Sequence, residues 1–348
     1  MRYGTPRTES RRSTAPLVGI AKLAAESPKA REGLYSGIEY FALAARSALN
    51  REASGRLPFA WTLNPYRGCE FGCKYCYARY THEFMELRDG RDFERKIFAK
   101  ISAPELLRTE LRSARDRGQP IALGTATDPY QPAEKYFGIT RRLLEVFAEF
   151  DNLEFSITTK GTLILRDLDL LRAIARRNRF SVHMTITTLD ERLARLLEPK
   201  APPPAKRLET LRQLAEAGLC ARLNAAPIIP GINDSPAALE ALAKAAAASG
   251  AQSIFANLLF LMPSARAEFM PFLEKEFPQL VSRYRRLYAH SAYLPREYKK
   301  ELAKLMEGLR VRYGLAGSMH SAPDACGRPA GGHLTVEPRF SQFSLPFA

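Results

Sequence analysis

Cys69, Cys73 and Cys76 fall within eight residues of a chain that has only five cysteines. They lie in the run Asn64-Pro-Tyr-Arg-Gly-Cys-Glu-Phe-Gly-Cys-Lys-Tyr-Cys-Tyr77. This C-x3-C-x2-C spacing is too tight for a disulfide network and leaves one thiol over. It suits three soft thiolates converging on one metal centre. Three thiolates on a four-iron cluster leave one iron with an open coordination position, which is where chemistry can occur. The same residues have a second reading, a structural zinc site in which His82 is the fourth ligand to Cys69, Cys73 and Cys76. Zinc sites usually pair two short knuckles, and this loop supplies one. A purely electron-transferring ferredoxin would supply a fourth cysteine ligand.

The elements around the loop must hold those thiols in place. Trp61-Thr-Leu-Asn64 reads as a short strand running straight into the cysteines, and Tyr77 to Leu87 has helical character. Lys96 to Ile101 is expected as a strand and Ala103 to Arg117 as a helix, with Pro104 in its first turn and Gly118 after its end. A regular alternation follows. Strands are predicted over Pro120–Gly124, Leu153–Thr159, Phe180–Thr187, Leu219–Ile229 and Ser253–Leu261. Between them lie helices around Ile139–Phe147 and over Leu165–Arg177, Asp190–Leu197, Ala205–Ala217 and Pro236–Ala248. Such alternation implies a parallel sheet with right-handed crossovers. About six units is short of the eight of a closed TIM barrel, so the fold class expected is α/β, a partial (β/α)6 TIM-type barrel. The division expected is a leader or extension over 1–55, the barrel over 56–265, helices over 266–313 and an irregular tail over 314–348.

Composition narrows the setting. The 46% hydrophobic content supplies a core, and clustered thiols in a cysteine-poor chain suit a reducing compartment, so the expected location is cytoplasmic. Met1–Ala30 is basic and rich in Ser and Thr; it reads as a disordered leader or a transit peptide, without the apolar core of a signal peptide. No run reaches the length of a membrane span. Fifty-two Lys and Arg against 37 Asp and Glu leave a net charge of +15, which favours phosphate-bearing or polyanionic ligands. The arginines are scattered, however, and solvated helix faces explain the charge equally well.

The cysteine loop resembles the signature of the radical S-adenosylmethionine (SAM) enzymes, C-x3-C-x-Φ-C with Φ aromatic, where Tyr75 fills Φ. The resemblance extends to Asn64-Pro-Tyr-Arg-Gly-Cys69, Thr127-Asp-Pro-Tyr-Gln-Pro132, Thr158-Thr-Lys160, Leu197-Glu-Pro199 and Ala226-Pro-Ile-Ile229. These look like blocks of the spore photoproduct lyase-like branch and span roughly Asn50 to Met262. The resemblance implies a [4Fe-4S] cluster held by Cys69, Cys73 and Cys76, with SAM on the fourth iron. It implies a low-potential reductant such as flavodoxin or ferredoxin, and a 5′-deoxyadenosyl radical that abstracts a substrate hydrogen. It further implies that the backbone of Tyr75 meets the adenine, Thr127 and Asp128 hold the SAM amino group, and Lys160 binds its carboxylate. Thr185 or Thr187 would reach the ribose, and Ala226 would line the adenine pocket. Taken singly, Thr127-Asp128-Pro129 reads as an ordinary turn and Lys160 as a solvated loop lysine; their joint placement at strand ends favours a site.

One departure from the lyase pattern matters. The lyase carries a hydrogen-donating cysteine directly before the Ser-Asp pair, and this chain has Ala126 there, with no cysteine between Cys76 and Cys220. Thymine-dimer reversal by that route is therefore in doubt, and the substrate is open, with nucleic acid favoured by charge and analogy. Tyr77 matches a tyrosine of the lyase's radical relay; a helix-start aromatic packed on the barrel rim is the alternative. Cys220, at the start of a strand, and His183, within one, read as structural. Cys326 in the tail is the remaining thiol, and with His320 and His333 it has no metal-site spacing. The reading from a different class is a zinc-stabilised nucleic-acid-binding protein without catalysis.

Overall fold

The computed structural model describes residues 17–32, 37–55, 57–113 and 118–315. The readings of Cys326, His320, His333 and the closing segment 342–347 lie outside the described residues. Eleven strands are present among the described residues: β1 Lys29–Glu32, β2 Glu39–Leu43, β3 Leu49–Arg51, β4 Trp61–Leu63, β5 Tyr66–Arg67, β6 Lys96–Lys100, β7 Ile121–Leu123, β8 Glu154–Thr159, β9 Arg179–Thr185, β10 Cys220–Ile228 and β11 Ile254–Leu258. The larger sheet runs β11-β10-β9-β8-β7-β4-β3. Its first six strands in that order are mutually parallel, and β3 adds an antiparallel edge to β4. Six parallel strands with β3 and β11 at the two edges make the partial barrel expected from the pattern.

The strands alternate, which a parallel sheet covered on both faces does not do. Phe155 and Ile157 of β8, Val182 and Met184 of β9, and Leu223 and Ala225 of β10 are buried in the core shared with the helices. Ser156, Thr158, Ser181, His183, Arg222 and Asn224 occupy the intervening positions and so line the other, concave face. One side of this sheet is packed, and the other is a polar interior.

Local signals set the helix limits. Helix Pro236–Ala248 begins where Ser235 accepts a bond from the Ala238 N–H (3.2 Å), has Pro at its first position, and ends before Gly250. Three stretches differ from expectation. Tyr77–Leu87 is a 3-10 turn, Tyr77–Arg79, followed by one α turn, Tyr80–Glu83; Glu86 then takes φ +58°, which a continuing helix cannot accommodate. The β9 strand stops at Thr185, leaving Thr187 just past its end. Part of the expected leader is structured: Gly19–Ala25 is a helix, and β1 and β2 join β6 and β5 in a second sheet. Ile38, Tyr40 and Leu43, buried on the short apolar run 38–45, carry that sheet. Helices Pro263–Glu276 and Val281–Leu287 lie over the cysteine loop, where Phe269, Leu273, Tyr284 and Tyr288 share a core with Cys69, Phe71, Cys73 and Tyr75. Among the described residues, no helix is long and apolar enough to cross a membrane.

Candidate active site

The cysteine loop leaves the C-terminal end of β4 and is fixed by backbone that only glycine permits. Gly68 has φ +83°, and a Cβ there would meet the Phe93 and Lys96 carbonyls at 2.8 and 2.9 Å. Gly72 has φ +65°, and its Cβ would lie 2.6 Å from the Glu94 carboxylate. These two positions flank the first two cysteines, so the loop wraps back onto β6 without a side chain in the way.

Side chains from the neighbouring strand ends then clamp it. The Thr127 hydroxyl donates to the Gly68 carbonyl (2.6 Å), which also accepts from Gln131 Nε2 (3.1 Å). Gln131 Oε1 accepts the Glu70 N–H (3.0 Å), and the Glu70 carboxylate accepts from Tyr40 OH (2.9 Å) and the Ala133 N–H (2.8 Å). From the other side, Arg79 donates to the Cys73 carbonyl (3.1 Å), the Gly90 carbonyl (2.7 Å) and Glu94 (2.8 Å). The Lys74 N–H reaches the Leu197 carbonyl (2.9 Å).

The three thiols share one apolar compartment with Phe71, Tyr75, Tyr77 and Ala126, and none is in a disulfide. Burial pushes the Cys73 thiol up to about 12, with Lys160 pulling the other way; burial also raises Cys69 and Cys76, Cys73 and Cys76 add to the rise at Cys69, and Cys76 adds to that at Cys73. Bare, they hold their protons at neutral pH, so any metal taken up here must displace them. The donor set is all sulfur, which suits an iron–sulfur centre. Among the described residues, no group of three or more His, Cys, Asp or Glu side chains is arranged to hold a single metal ion. His82, the fourth ligand of the zinc reading, is tied to β6 through Nε2, and its Nδ1 is buried with no hydrogen-bond partner among the described residues. It is buried edge-on against Phe93 and Phe98, bonds the Lys96 carbonyl (3.0 Å), and is held near pKa 4 by burial.

The residues matched to SAM contacts gather at successive strand ends beside the thiols. Asp128, after β7, accepts from the Tyr130 N–H (2.9 Å), the Thr159 hydroxyl (2.6 Å) and the Lys160 N–H (2.7 Å), tying that loop to the end of β8. Burial raises its pKa against these bonds. Lys160 follows β8, its ammonium 4.0 Å from Glu198 and 5.7 Å from the centre of the Tyr75 ring. Burial, which opposes the charge, is outweighed by Cys73 and Glu198, so the ammonium is retained. Thr185 accepts from Asn224 Nδ2 (3.2 Å), Thr187 donates to Glu198 (3.3 Å), and Ala226 is half-buried on β10. Tyr77 donates to the Thr125 carbonyl and packs on Phe260, with ring centroids 5.0 Å apart.

Sequence reasoning assigned no role to the group that organises this end of the barrel. Glu198 is 1% exposed, accepts from Tyr75 OH and Thr187, and forms an ion pair with Arg207 Nη2 (2.5 Å). Burial would raise its pKa, but Arg207 and Lys160 hold it below the usual carboxylate value. Arg207, equally buried, also donates to the Pro202 (2.6 Å) and Thr185 (3.2 Å) carbonyls. The residue lay inside the quoted block Leu197-Glu-Pro199, but nothing in the chain announced Arg207 as its partner. Gln131 was hidden in the same way within Thr127–Pro132. Cys220 opens β10 at its N-terminal end, buried, with its thiol 3.1 Å from Gln252 Oε1.

An open (β/α)6 barrel with three clustered thiols, two of them buried, on the loop after its first parallel strand defines the class. The chain matches the radical SAM superfamily over residues 63–243. It is 38% identical to the Mycobacterium tuberculosis H37Rv protein Rv2578c over 290 residues, covering 83% of this chain and 85% of that one. It is 29% identical to MJ0683 of Methanocaldococcus jannaschii over 248 residues, covering 70% and 86%. Among solved structures, a spore photoproduct lyase variant with bound AdoMet and dinucleoside spore photoproduct superposes with a TM-score of 0.61 at 14% identity, over 79% of each chain. A second lyase variant gives 0.60 at 14% identity, over 87% of this chain and 85% of that one. This chain belongs to the radical SAM superfamily, and its cofactors are a [4Fe-4S] cluster and SAM.

Proposed function

We propose that Cys69, Cys73 and Cys76 ligate three irons of the cluster and that SAM lies along the strand ends, its amino group toward Thr127 and Asp128 and its carboxylate toward Lys160. Tyr75, Thr185, Thr187 and Ala226 border the nucleoside in this reading. When bound, the two cofactors together supply one-electron cleavage of the sulfonium and a 5′-deoxyadenosyl radical. The chain's own residues do the rest. Gly68 and Gly72 let the loop fold close, Thr127 and Gln131 hold it, and Glu198 sets the positions of Lys160 and Tyr75. Helices Pro263–Glu276 and Val281–Leu287 keep water and external thiols from the thiol compartment.

The observation that carries this reading is the meeting of three thiols, Cys69 and Cys73 buried and Cys76 partly so, with Asp128 and Lys160 at consecutive ends of parallel strands. The reaction is a radical modification of a substrate other than a thymine dimer repaired by cysteine hydrogen return, because Ala126 stands at the donor position. Nucleic acid is the favoured substrate class on charge, and a flavodoxin or ferredoxin the favoured reductant. The test is SAM cleavage by the anaerobic, dithionite-reduced protein. We expect 5′-deoxyadenosine from the wild type and none from Cys73→Ala; product at the wild-type rate from Cys73→Ala would overturn the assignment.

A further inference from the structure

The concave face of the barrel carries a cation that no group among the described residues pairs. Arg222 sits on β10 in register with His183 of β9, and His183 with Thr158 of β8, one layer below the level of Asn224, Thr185 and Lys160. Same-face residues are two apart, so the layers are separated by about 6.6 Å. Arg222 is half-buried and makes no hydrogen bond or ion pair among the described residues. The one carboxylate that the described strands place on this face, Glu154, is two layers lower and is paired with Arg179 (3.6 Å). His183 cannot serve as counter-charge: it is 8% exposed, contacts Ser181 Oγ (3.2 Å), and is held near pKa 3 by burial and by Arg222. Directly above, the Asn224 side-chain oxygen is buried with no hydrogen-bond partner among the described residues, while its nitrogen donates to the Thr185 hydroxyl (3.2 Å).

A guanidinium that solvent reaches but no described protein group pairs, and on the same strand a buried acceptor whose unmade bond is costly, together face this polar interior and can take one ligand. We infer that Arg222 binds an oxyanion of the substrate, a phosphate or a carboxylate, and that Asn224 accepts an N–H or O–H from the same molecule. This rests on the reading of the strand ends as the SAM site, since it places the substrate's anchor one layer beneath those contacts and its remainder toward the thiols. The surrounding hydroxyls of Ser156, Thr158 and Ser181 add donors for an oxyanion and no competing charge.

The experiment is calorimetric titration of the anaerobic, cluster-loaded, SAM-bound protein with inorganic phosphate, with thymidylyl-thymidine and with glutarate, in wild type, Arg222→Gln and Arg222→Lys. Iron content and SAM affinity are measured on the same samples. We expect at least one anion to bind the wild type, to bind roughly tenfold or more weakly to Arg222→Gln, and to be partly restored by Arg222→Lys. Iron and SAM affinity should be unchanged throughout. Binding of phosphate or the dinucleotide assigns a phosphate-bearing substrate, and binding of glutarate alone assigns a carboxylate. The inference is overturned if none of the three binds the wild type, or if Arg222→Gln binds them equally. A wild type that takes up no iron or no SAM would instead refute the cofactor site, and is scored separately.

Discussion

Replacing Glu198 by Gln removes the charge that this end of the barrel is built around. The carboxylate and the Arg207 guanidinium are each 1% exposed and 2.5 Å apart, so the variant leaves a buried arginine without its counter-ion. Breaking one side of a buried ion pair costs about 3–5 kcal/mol, whereas replacing both sides by apolar groups is often neutral. Gln can still accept one bond from Tyr75 or Thr187, and Arg207 keeps its carbonyls at Pro202 and Thr185, which places the expected loss near 3 kcal/mol rather than 5. Glu198→Gln combined with Arg207→Met should recover most of that loss, giving a coupling of about 2 kcal/mol or more. The assay is urea unfolding of the metal-free, reduced chain for the wild type, both single variants and the double. A loss below about 1 kcal/mol in Glu198→Gln, or strict additivity in the double variant, would refute the claim that Glu198 and Arg207 act as one buried unit.

Three further outcomes follow from the same geometry. Lys160→Ala should weaken SAM binding, read by equilibrium dialysis, by roughly tenfold or more while iron content is retained; unchanged affinity would remove Lys160 from the site. Gln131→Ala frees the Glu70 N–H and leaves the Gly68 carbonyl to Thr127 alone, so iron retention after gel filtration should fall although every cysteine remains, and full retention would show the clamp to be dispensable. Lys100 is 6% exposed with no hydrogen bond or ion pair at its ammonium among the described residues, and burial lowers its pKa from 10.5 to about 7. Between those values the unfolded chain holds the extra proton, so this group makes stability rise with pH across that window, its penalty being complete below about pH 7. Lys100→Met should therefore stabilise the chain by about 2–5 kcal/mol at pH 6 and by progressively less toward pH 10; a stabilisation independent of pH would contradict the reading.

The barrel was legible because its signals were local and repeated. Alternation along Glu154–Thr159 and Arg179–Thr185, with Ser235-Pro236 and Gly250 marking a helix, fixed the elements to within a few residues. The cysteine loop was legible from spacing alone. Four things were not. The second sheet depends on β2, already paired with β1, finding β6 more than fifty residues on, a long-range pairing that no local window of sequence contains. Glu198 meets Arg207 only because the chain turns between them, and each looks like a surface charge when read singly. Thr127 and Asp128 were assigned to the ligand, and their bonds to Gly68, Thr159 and Lys160 show a bracing role that a motif cannot reveal. His82 was placed near the cysteines by sequence, yet its ring belongs to the packing between Phe93 and Phe98.

The most direct measurement is metal analysis joined to electron paramagnetic resonance on anaerobically purified, reduced protein, with and without SAM. The account predicts about four irons and four sulfides per chain, negligible zinc, and a cluster signal that changes shape when SAM is added. A colourless zinc protein, or an iron–sulfur signal indifferent to SAM, would contradict it.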